Sequence, residues 1–150
     1  MPGLDWLQAA SFEADSVAKT SCRVTQLKPP GSWKGTPASE EFDLDNLKEY
    51  TVLFEGPARE ASSLYPKNAN VATMLALATT GLDKTMVRLA TDPVHLKGGT
   101  TVEYSNPEIG DIKIDVSNVK MLESNPKTSA VVPLSVLKAI RSIAGHAAIV

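Results

Sequence analysis

The chain has few metal-binding side chains, no basic surplus and no long apolar run. Cys22 is its single cysteine and it has two histidines, so no internal disulfide can form and a zinc site would need scattered carboxylates. The formal net charge of −2 leaves no basic stripe for nucleic acid. No apolar run is long enough to cross a bilayer. We therefore expect no metal site, no nucleic-acid partner and no membrane partner.

Signatures of nucleotide and hydrolase sites are also missing. No strand-like segment runs into G-x-G-x-x-G, and the sequence contains no Walker loop, no H-E-x-x-H and no G-x-S-x-G. The expected cofactor is therefore none. The start, MPGLDWLQAA, lacks the basic and apolar regions of a secretory signal, which favours a cytoplasmic location.

What is present is the composition of an ordinary globular domain. The 150 residues are 43% hydrophobic and 21% charged, which fits one domain over residues 1–150 with a proper core. Cys22 lies in an alternating apolar segment, where we expect a small buried side chain rather than a nucleophile.

Apolar periodicity predicts both strands and helices. Strands are predicted for CRVTQL, YTVLFEG, KTMVRLATD, TTVEYSN and DIKIDVS, and the last three are expected to form a meander. Helices are predicted for LDWLQAASF, DLDNLKEY, AREASSLY, NVATMLALATTG and the stretch after NPKTS. KPPGSWKGTP predicts a loop whose Trp33 is either a lid aromatic or, as we favour, a plug over the core. In the fourth helix, Val71, Met74, Leu75 and Ala78 share the expected buried face. This order indicates an α+β domain with a mixed, mostly antiparallel sheet and helices packed on one face.

The segment YPKNANVA places polar residues where a helix begins. Asn68 or Asn70 could cap the free backbone N–H groups of the first turn. Alternatively, Lys67 beside the positive end of the helix would suit a carboxylate or another small anion. Both interpretations remain open at this point.

Four segments together carry a resemblance to a known family: GLDWLQAA, KPPGSWKGTP, the stretch from FEGPAREA to LATDP, and NPKTSAVVPLSVLKAIRSI. They resemble the second, substrate-binding domain of the L-aspartate dehydrogenase family, most sharply in FEGPAREA, YPKNANVA and NPKTS. The resemblance implies a C-terminal domain that closes over a separate N-terminal Rossmann domain, with aspartate in the cleft. Residue 1 falls almost where that second domain would begin, so the Rossmann domain is expected to be absent.

The sequence departs from this family after the pair Asp92 and Pro93. Relatives carry N-x-H there, with the histidine as the proposed catalytic group, whereas this chain has Gly98 and Thr100. A threonine hydroxyl cannot titrate near neutral pH as an imidazole does. His95 stands five residues earlier, either brought into the cleft by a shifted loop or lying as an ordinary surface histidine.

The resemblance implies a pocket formed by YPKNANVA and NPKTS, each expected at a helix start. We predict that Lys67, Thr100 and Lys127 are catalytic. The predicted substrate-binding residues are Asn68, Asn70, Asn125, Thr128, Ser129 and His95. Two lysines at helix starts favour an acidic or oxyanion-bearing ligand. Glu55 and Arg59 are expected either to pair with each other or to serve the site.

Three functions follow from these observations. The favoured one is a stand-alone domain that has lost redox activity, binds a small molecule and catalyses a cofactor-independent isomerisation, cyclisation or proton transfer in secondary metabolism. The alternatives are the catalytic half of an NAD(P)-dependent L-aspartate dehydrogenase, truncated or split, and a non-catalytic dimerisation or scaffold module. A homodimer is expected because this family associates through the domain.

Overall fold

The computed structural model describes residues 19–108, 110–123, 125–129 and 137. The strands are β1 (Ser21–Lys28), β2 (Thr51–Pro57), β3 (Thr85–Thr91), β4 (Gly98–Asn106), β5 (Gly110–Val119), β6 (Met121–Leu122) and β7 (Asn125–Ser129). The helices are α1 (Ala38–Glu41), α2 (Ala58–Leu64) and α3 (Asn70–Ala78), with a 3-10 turn at Pro30–Trp33. The predicted first helix lies outside the described residues, and of the predicted last helix only Leu137, which is helical, lies within them.

The five long strands form one sheet in the order β2-β3-β1-β4-β5. β1 and β3 run parallel, and the other three pairings are antiparallel. This confirms the predicted α+β fold with a mixed, mostly antiparallel sheet. The predicted meander is wrong, because β1 lies between β3 and β4. Residues 92–97, which join β3 to β4, must therefore pass the end of β1.

The core lies between the sheet and the two longer helices. Alternate residues of β1 are buried, as a strand with one covered face requires. α3 packs on this face through small side chains and one leucine, namely Ala72, Leu75 and Ala76. Met74, expected on the buried side, is 62% exposed. The alanines allow the helix backbone to approach the sheet closely, so they set the buried stripe.

Local sequence signals fix the ends of the helices. Pro57 precedes α2, and α2 ends at Leu64 before Pro66, as proline positions predict. Beyond α3, the N–H of Gly81 donates to the carbonyl of Ala76 at 2.8 Å. Gly81 has a φ of +85°, which favours glycine because it has no Cβ. In the described residues no helix is both long and apolar enough to span a membrane.

One predicted helix and one predicted helix start are replaced by other structure. DLDNLKEY forms turns and bends, and the short helix α1 lies just before it. NPKTS forms strand β7, which pairs antiparallel with β6 in the register Leu122 to Asn125 and Met121 to Ser129. Strand β6 gives the NPKTS backbone a partner, so its N–H and C=O groups enter a ladder instead of a helical turn.

The predicted pair of Glu55 and Arg59 is also wrong. Glu55 lies directly opposite Arg88 in the β2–β3 register, and Arg88 Nη2 is 3.0 Å from Glu55 Oε2. Arg59 instead donates to Asp83 at 2.6 Å. Both carboxylates have their pKa lowered, first by the hydrogen bond from the arginine. Cross-strand register sets the first of these ion pairs, and contact of α2 with the connection before β3 sets the second.

Candidate functional site

Polar side chains collect at the edge of the sheet where β1 and β3 end and α3 begins. Lys28 and Thr91 are the last residues of β1 and β3 and are partners in the parallel register. Gln26 lies two residues earlier in β1, opposite Thr100 of β4. Directly opposed residues share one face of a sheet, here the face that carries α3. These four residues and Asn68, which precedes α3, form a group of five that we call the edge cluster.

Asn68 ties the segment before α3 to the 3-10 turn. Its side chain is 1% exposed, and its Nδ2 donates to the carbonyl of Ser32 at 2.9 Å. The Asn68 carbonyl accepts a hydrogen bond from Lys28 Nζ at 3.4 Å. Asn68 therefore positions two chain segments, and it does so from a buried position where an unmade hydrogen bond would be costly.

Capping is carried by other groups. Asn70 Oδ1 accepts from the N–H of Val71 at 2.9 Å, and Gln26 Oε1 accepts from the N–H of Ala72 at 3.4 Å. Asn70 is exposed, as is Lys67, which forms no ion pair with another described residue. The side chain of Lys67 is thus free to reach a ligand at the start of α3.

The NPKTS segment reaches the same place by a different route. Strand β7 contacts the Pro30–Trp33 turn, whose Ser32 carbonyl is held by Asn68. YPKNANVA and NPKTS, far apart in sequence, therefore converge on one turn. The predicted site residues of β7 have side chains outside the described part of the structure, so their roles stay predictions: Asn125, Lys127, Thr128 and Ser129.

His95 lies on the other side of the sheet. It lines a cavity of about 380 Å³ together with Thr25, Thr101 and Asp115. Thr25 and Thr101 alternate with Gln26 and Thr100, so this cavity opens on the face away from α3. The structure thus brings Asn68, Asn70 and Thr100 to one edge and face and leaves His95 outside that group.

A local pair holds the imidazole of His95 in place. His95 Nδ1 donates to Asp92 Oδ2 at 2.6 Å, while Asp92 Oδ1 accepts from the N–H groups of Val94 and His95. The hydrogen bond from His95, followed by these backbone bonds, lowers the pKa of Asp92. With the His95 side chain 74% exposed, the geometry matches the surface-histidine interpretation.

The clearest site residue missed by sequence reasoning is Lys28. The residue is 8% exposed, and burial lowers the pKa of its ammonium group. Its alternation with Cys22, Val24 and Gln26, all inward-facing, was the available signal. A lysine on the buried side of a strand is rare unless it has a partner, so this position called for an explanation.

Cys22 belongs to the core, as predicted. It is 2% exposed, and burial raises the pKa of its thiol. Thr79 Oγ1 lies 3.6 Å from its sulfur. A protonated thiol buried against α3 has the character of a packed apolar group, not of a nucleophile.

The fold and the edge cluster define an α+β domain that gathers polar groups at one end of its central strands. Residues 5–143 match the family model described as "Aspartate dehydrogenase, C-terminal". The chain belongs to this family, which is a family of enzymes.

Named relatives agree with the family match. The L-aspartate dehydrogenase of Ralstonia pickettii is 48% identical over 116 residues, covering 77% of this chain and 43% of that protein. That of Acinetobacter baumannii (strain ATCC 17978) is 46% identical over 141 residues, covering 93% and 51%. The crystal structure of aspartate dehydrogenase from Thermotoga maritima superposes with a TM-score of 0.67 at 26% identity, covering 99% of this chain and 51% of the other. The chain spans about half the length of these relatives.

These relatives overturn the favoured functional prediction. A cofactor-independent cyclase or isomerase that has lost redox activity is wrong, because relatives at 45 to 48% identity are named L-aspartate dehydrogenase. The alternative, the catalytic half of an L-aspartate dehydrogenase, agrees better with them. The prediction rested on the missing glycine-rich nucleotide motif and on Thr100 at the position expected for the family histidine. A chain that spans about half of its relatives need not contain every motif of the whole enzyme.

Proposed function

We propose that this chain is the substrate-side half of an NAD(P)-dependent L-aspartate dehydrogenase. The observation that carries the proposal is the convergence of YPKNANVA and NPKTS on the Pro30–Trp33 turn. Segments that meet at one edge of a sheet, beside a helix start, can surround a small ligand. The names of the relatives supply the substrate class, a small dicarboxylic amino acid.

Each predicted site residue has a role in this proposal. Lys67 is exposed at the start of α3, where a cation and the positive end of a helix both attract a carboxylate. The Asn68 side chain holds the Pro30–Trp33 turn. Asn70 Oδ1 accepts a hydrogen bond in the first turn of α3, and its amide nitrogen remains for a ligand. Thr100 faces the same side of the sheet and stands beside the reacting end of the substrate. Lys127 and its β7 neighbours are assigned to the same pocket.

The described residues do not fit a nicotinamide dinucleotide. The strands that lead into a helix lack a glycine-rich turn, and two first-turn N–H groups of α3 are already bound by Gln26 and Asn70. A pyrophosphate needs such N–H groups free. We therefore assign the cofactor to a separate nucleotide-binding domain and derive no catalytic step through it.

A chimera tests the proposed function. We would substitute this chain for the matched C-terminal part of the Ralstonia pickettii L-aspartate dehydrogenase and follow NADH formation from L-aspartate at 340 nm. We expect slow turnover that depends on L-aspartate, because this chain supplies a substrate pocket but a poor proton-transfer group at position 100. The excised half of the relative without a graft is the control.

A folded chimera that binds NADH but forms none from L-aspartate, even with histidine restored at position 100, would contradict the proposal. In that case the pocket of this chain would accept another ligand. Binding of NADH checks that the nucleotide half is intact, so failure of that half would be seen separately.

Substitution of Lys67 by alanine separates ligand binding from capping. The side chain is exposed, so we expect the free energy of unfolding to change by only a few tenths of a kcal/mol. We expect the KM of the chimera for L-aspartate to rise about tenfold or more, because a charge-assisted hydrogen bond contributes about 1.5 to 3 kcal/mol. Lys84→Ala, at another exposed lysine, is the matched control. An unchanged KM would assign Lys67 to the surface alone.

Two further expectations belong to the whole enzyme. We propose a homodimer, in keeping with the association expected of this family, and a cytoplasmic location. No observation among the described residues favours the scaffold alternative.

A further inference from the structure

Lys28 is a buried cation that has no counter-charge among the residues that the structure describes. Its single hydrogen bond among the described residues goes to the Asn68 carbonyl at 3.4 Å, and no described carboxylate forms an ion pair with it. An ammonium group taken out of water loses its hydration, and proteins normally offset that loss with a paired anion. None of the described residues supplies such an anion to Lys28.

The Thr91 hydroxyl is a second buried polar group at the same place. Its side chain is fully buried, and its Oγ1 has no hydrogen-bond partner among the described residues. Thr91 and Lys28 are register partners on adjacent parallel strands, and their side chains share the face that carries α3. Buried hydroxyl groups are rarely left without a partner. Side by side on this face therefore lie a hydroxyl with no partner among the described residues and an ammonium group whose one hydrogen bond there goes to a neutral carbonyl.

We propose that the Lys28 ammonium and the Thr91 hydroxyl together bind one carboxylate group of the substrate. The assignment rests on the proposed function and names a subsite for it. A carboxylate has two oxygens, one for each donor, and its charge offsets that of the buried ammonium. A phosphate would present more oxygens than these two donors can satisfy.

The position of this subsite suits the rest of the site. In the β1–β4 register, Leu27 opposes Gly99, so the next residues along the two strands are Lys28 and Gly98. Gly98 has no side chain to fill the space beside the ammonium. Thr100 follows two residues later on the same face of β4. A carboxylate on Lys28 would therefore place the remainder of a small substrate beside Thr100.

The test measures carboxylate binding to the full 150-residue chain by isothermal titration and by melting temperature. The probes are L-aspartate and malonate, with malonamide as the uncharged counterpart. The variants are Lys28→Met, which keeps a long unbranched side chain without the charge, and Thr91→Val, which replaces the hydroxyl by a methyl group. Lys34→Met is the matched control, because Lys34 is nearby, exposed and paired with Asp45 at 2.6 Å.

We expect Lys28→Met to weaken binding of both acids roughly 10- to 100-fold and Thr91→Val about 2- to 10-fold. Lys34→Met should leave the affinity unchanged, and malonamide should not bind. The melting temperature of unliganded Lys28→Met should stay level or rise, since the variant no longer buries an unpaired charge. If this variant does not fold, Lys28→Gln and Thr91→Val carry the test.

The subsite would be overturned by equal affinity of Lys28→Met and the unaltered chain. It would also be overturned if neither acid bound at about 10 mM, above the usual range of KM values. A lower melting temperature with unchanged affinity would give Lys28 a purely structural role. Turnover by the chimera decides the proposed function separately, so either assignment can fail while the other stands.

Discussion

Replacing Thr100 by histidine should raise turnover of L-aspartate by the chimera about 10²- to 10⁴-fold, the usual contribution of a positioned general acid or base. We predict from the sequence that Thr100 takes the place of the histidine in the family pattern N-x-H. Oxidation of an amino acid at its α-carbon, followed by hydrolysis of the imine, requires proton transfers to or from the amino group and the attacking water. An imidazole with an ordinary pKa near 6.5 performs these near neutral pH, whereas a hydroxyl does not.

The geometry around position 100 is suited to this substitution. Thr100 is half-buried, opposite Gln26, on the face that carries α3. Thr101→His is the matched control, because Thr101 lines the cavity on the opposite face. We expect it to leave turnover unchanged. The assay is NADH formation at saturating L-aspartate, with the pH profile of kcat as a second measurement.

Two results would count against this assignment. If both histidine variants gave equal rates, the gain would not depend on the face of the sheet. If Thr100→His left the rate and its pH profile unchanged, the catalytic proton would be carried by another group. His95 would then be the next residue to substitute, since Asp92 already orients its ring.

Local patterns predicted much of the fold. The five long strands lie where apolar and β-branched residues predict them, and strict alternation in DIKIDV matches β5 at the sheet edge. Gly81, Pro57 and Pro66 mark helix ends through backbone geometry that each residue carries by itself. Trp33 is fully buried, as a large aromatic in a short loop led us to expect.

Features that depend on distant partners were not predictable in this way. NPKTS is a strand because β6 is available to pair with it, and Glu55 meets Arg88 because β2 and β3 align in that register. The insertion of β1 between β3 and β4 has the same origin. From the sequence, Lys28 is one of several scattered cations. The sheet shows that it faces inward, and no carboxylate among the described residues pairs with it.

Substitution of Trp33 by alanine is expected to lower the free energy of unfolding by about 3 to 5 kcal/mol, the range for large aromatic side chains in a core. The Trp33 ring is fully buried and meets the ring of Tyr65 edge-on at 6.1 Å between centroids. Its Nε1 donates to the carbonyl of Lys28 at 3.3 Å. The loss therefore combines a cavity with an unsatisfied carbonyl group. Urea unfolding, followed by circular dichroism, measures the change.

The position of Trp33 also links it to ligand binding. It ends the turn that Asn68 and β7 both contact, and its indole fixes the carbonyl of the very residue proposed to bind a carboxylate. Trp33→Ala should therefore also weaken malonate binding in conditions where the variant is still folded. Val94→Ala, at a residue 68% exposed, is the control and should change stability by less than about 0.5 kcal/mol. If Trp33→Ala lowered the free energy of unfolding by less than about 1 kcal/mol, the Pro30–Trp33 turn would have repacked to fill the cavity. Asn68 rather than Trp33 would then hold the edge cluster together.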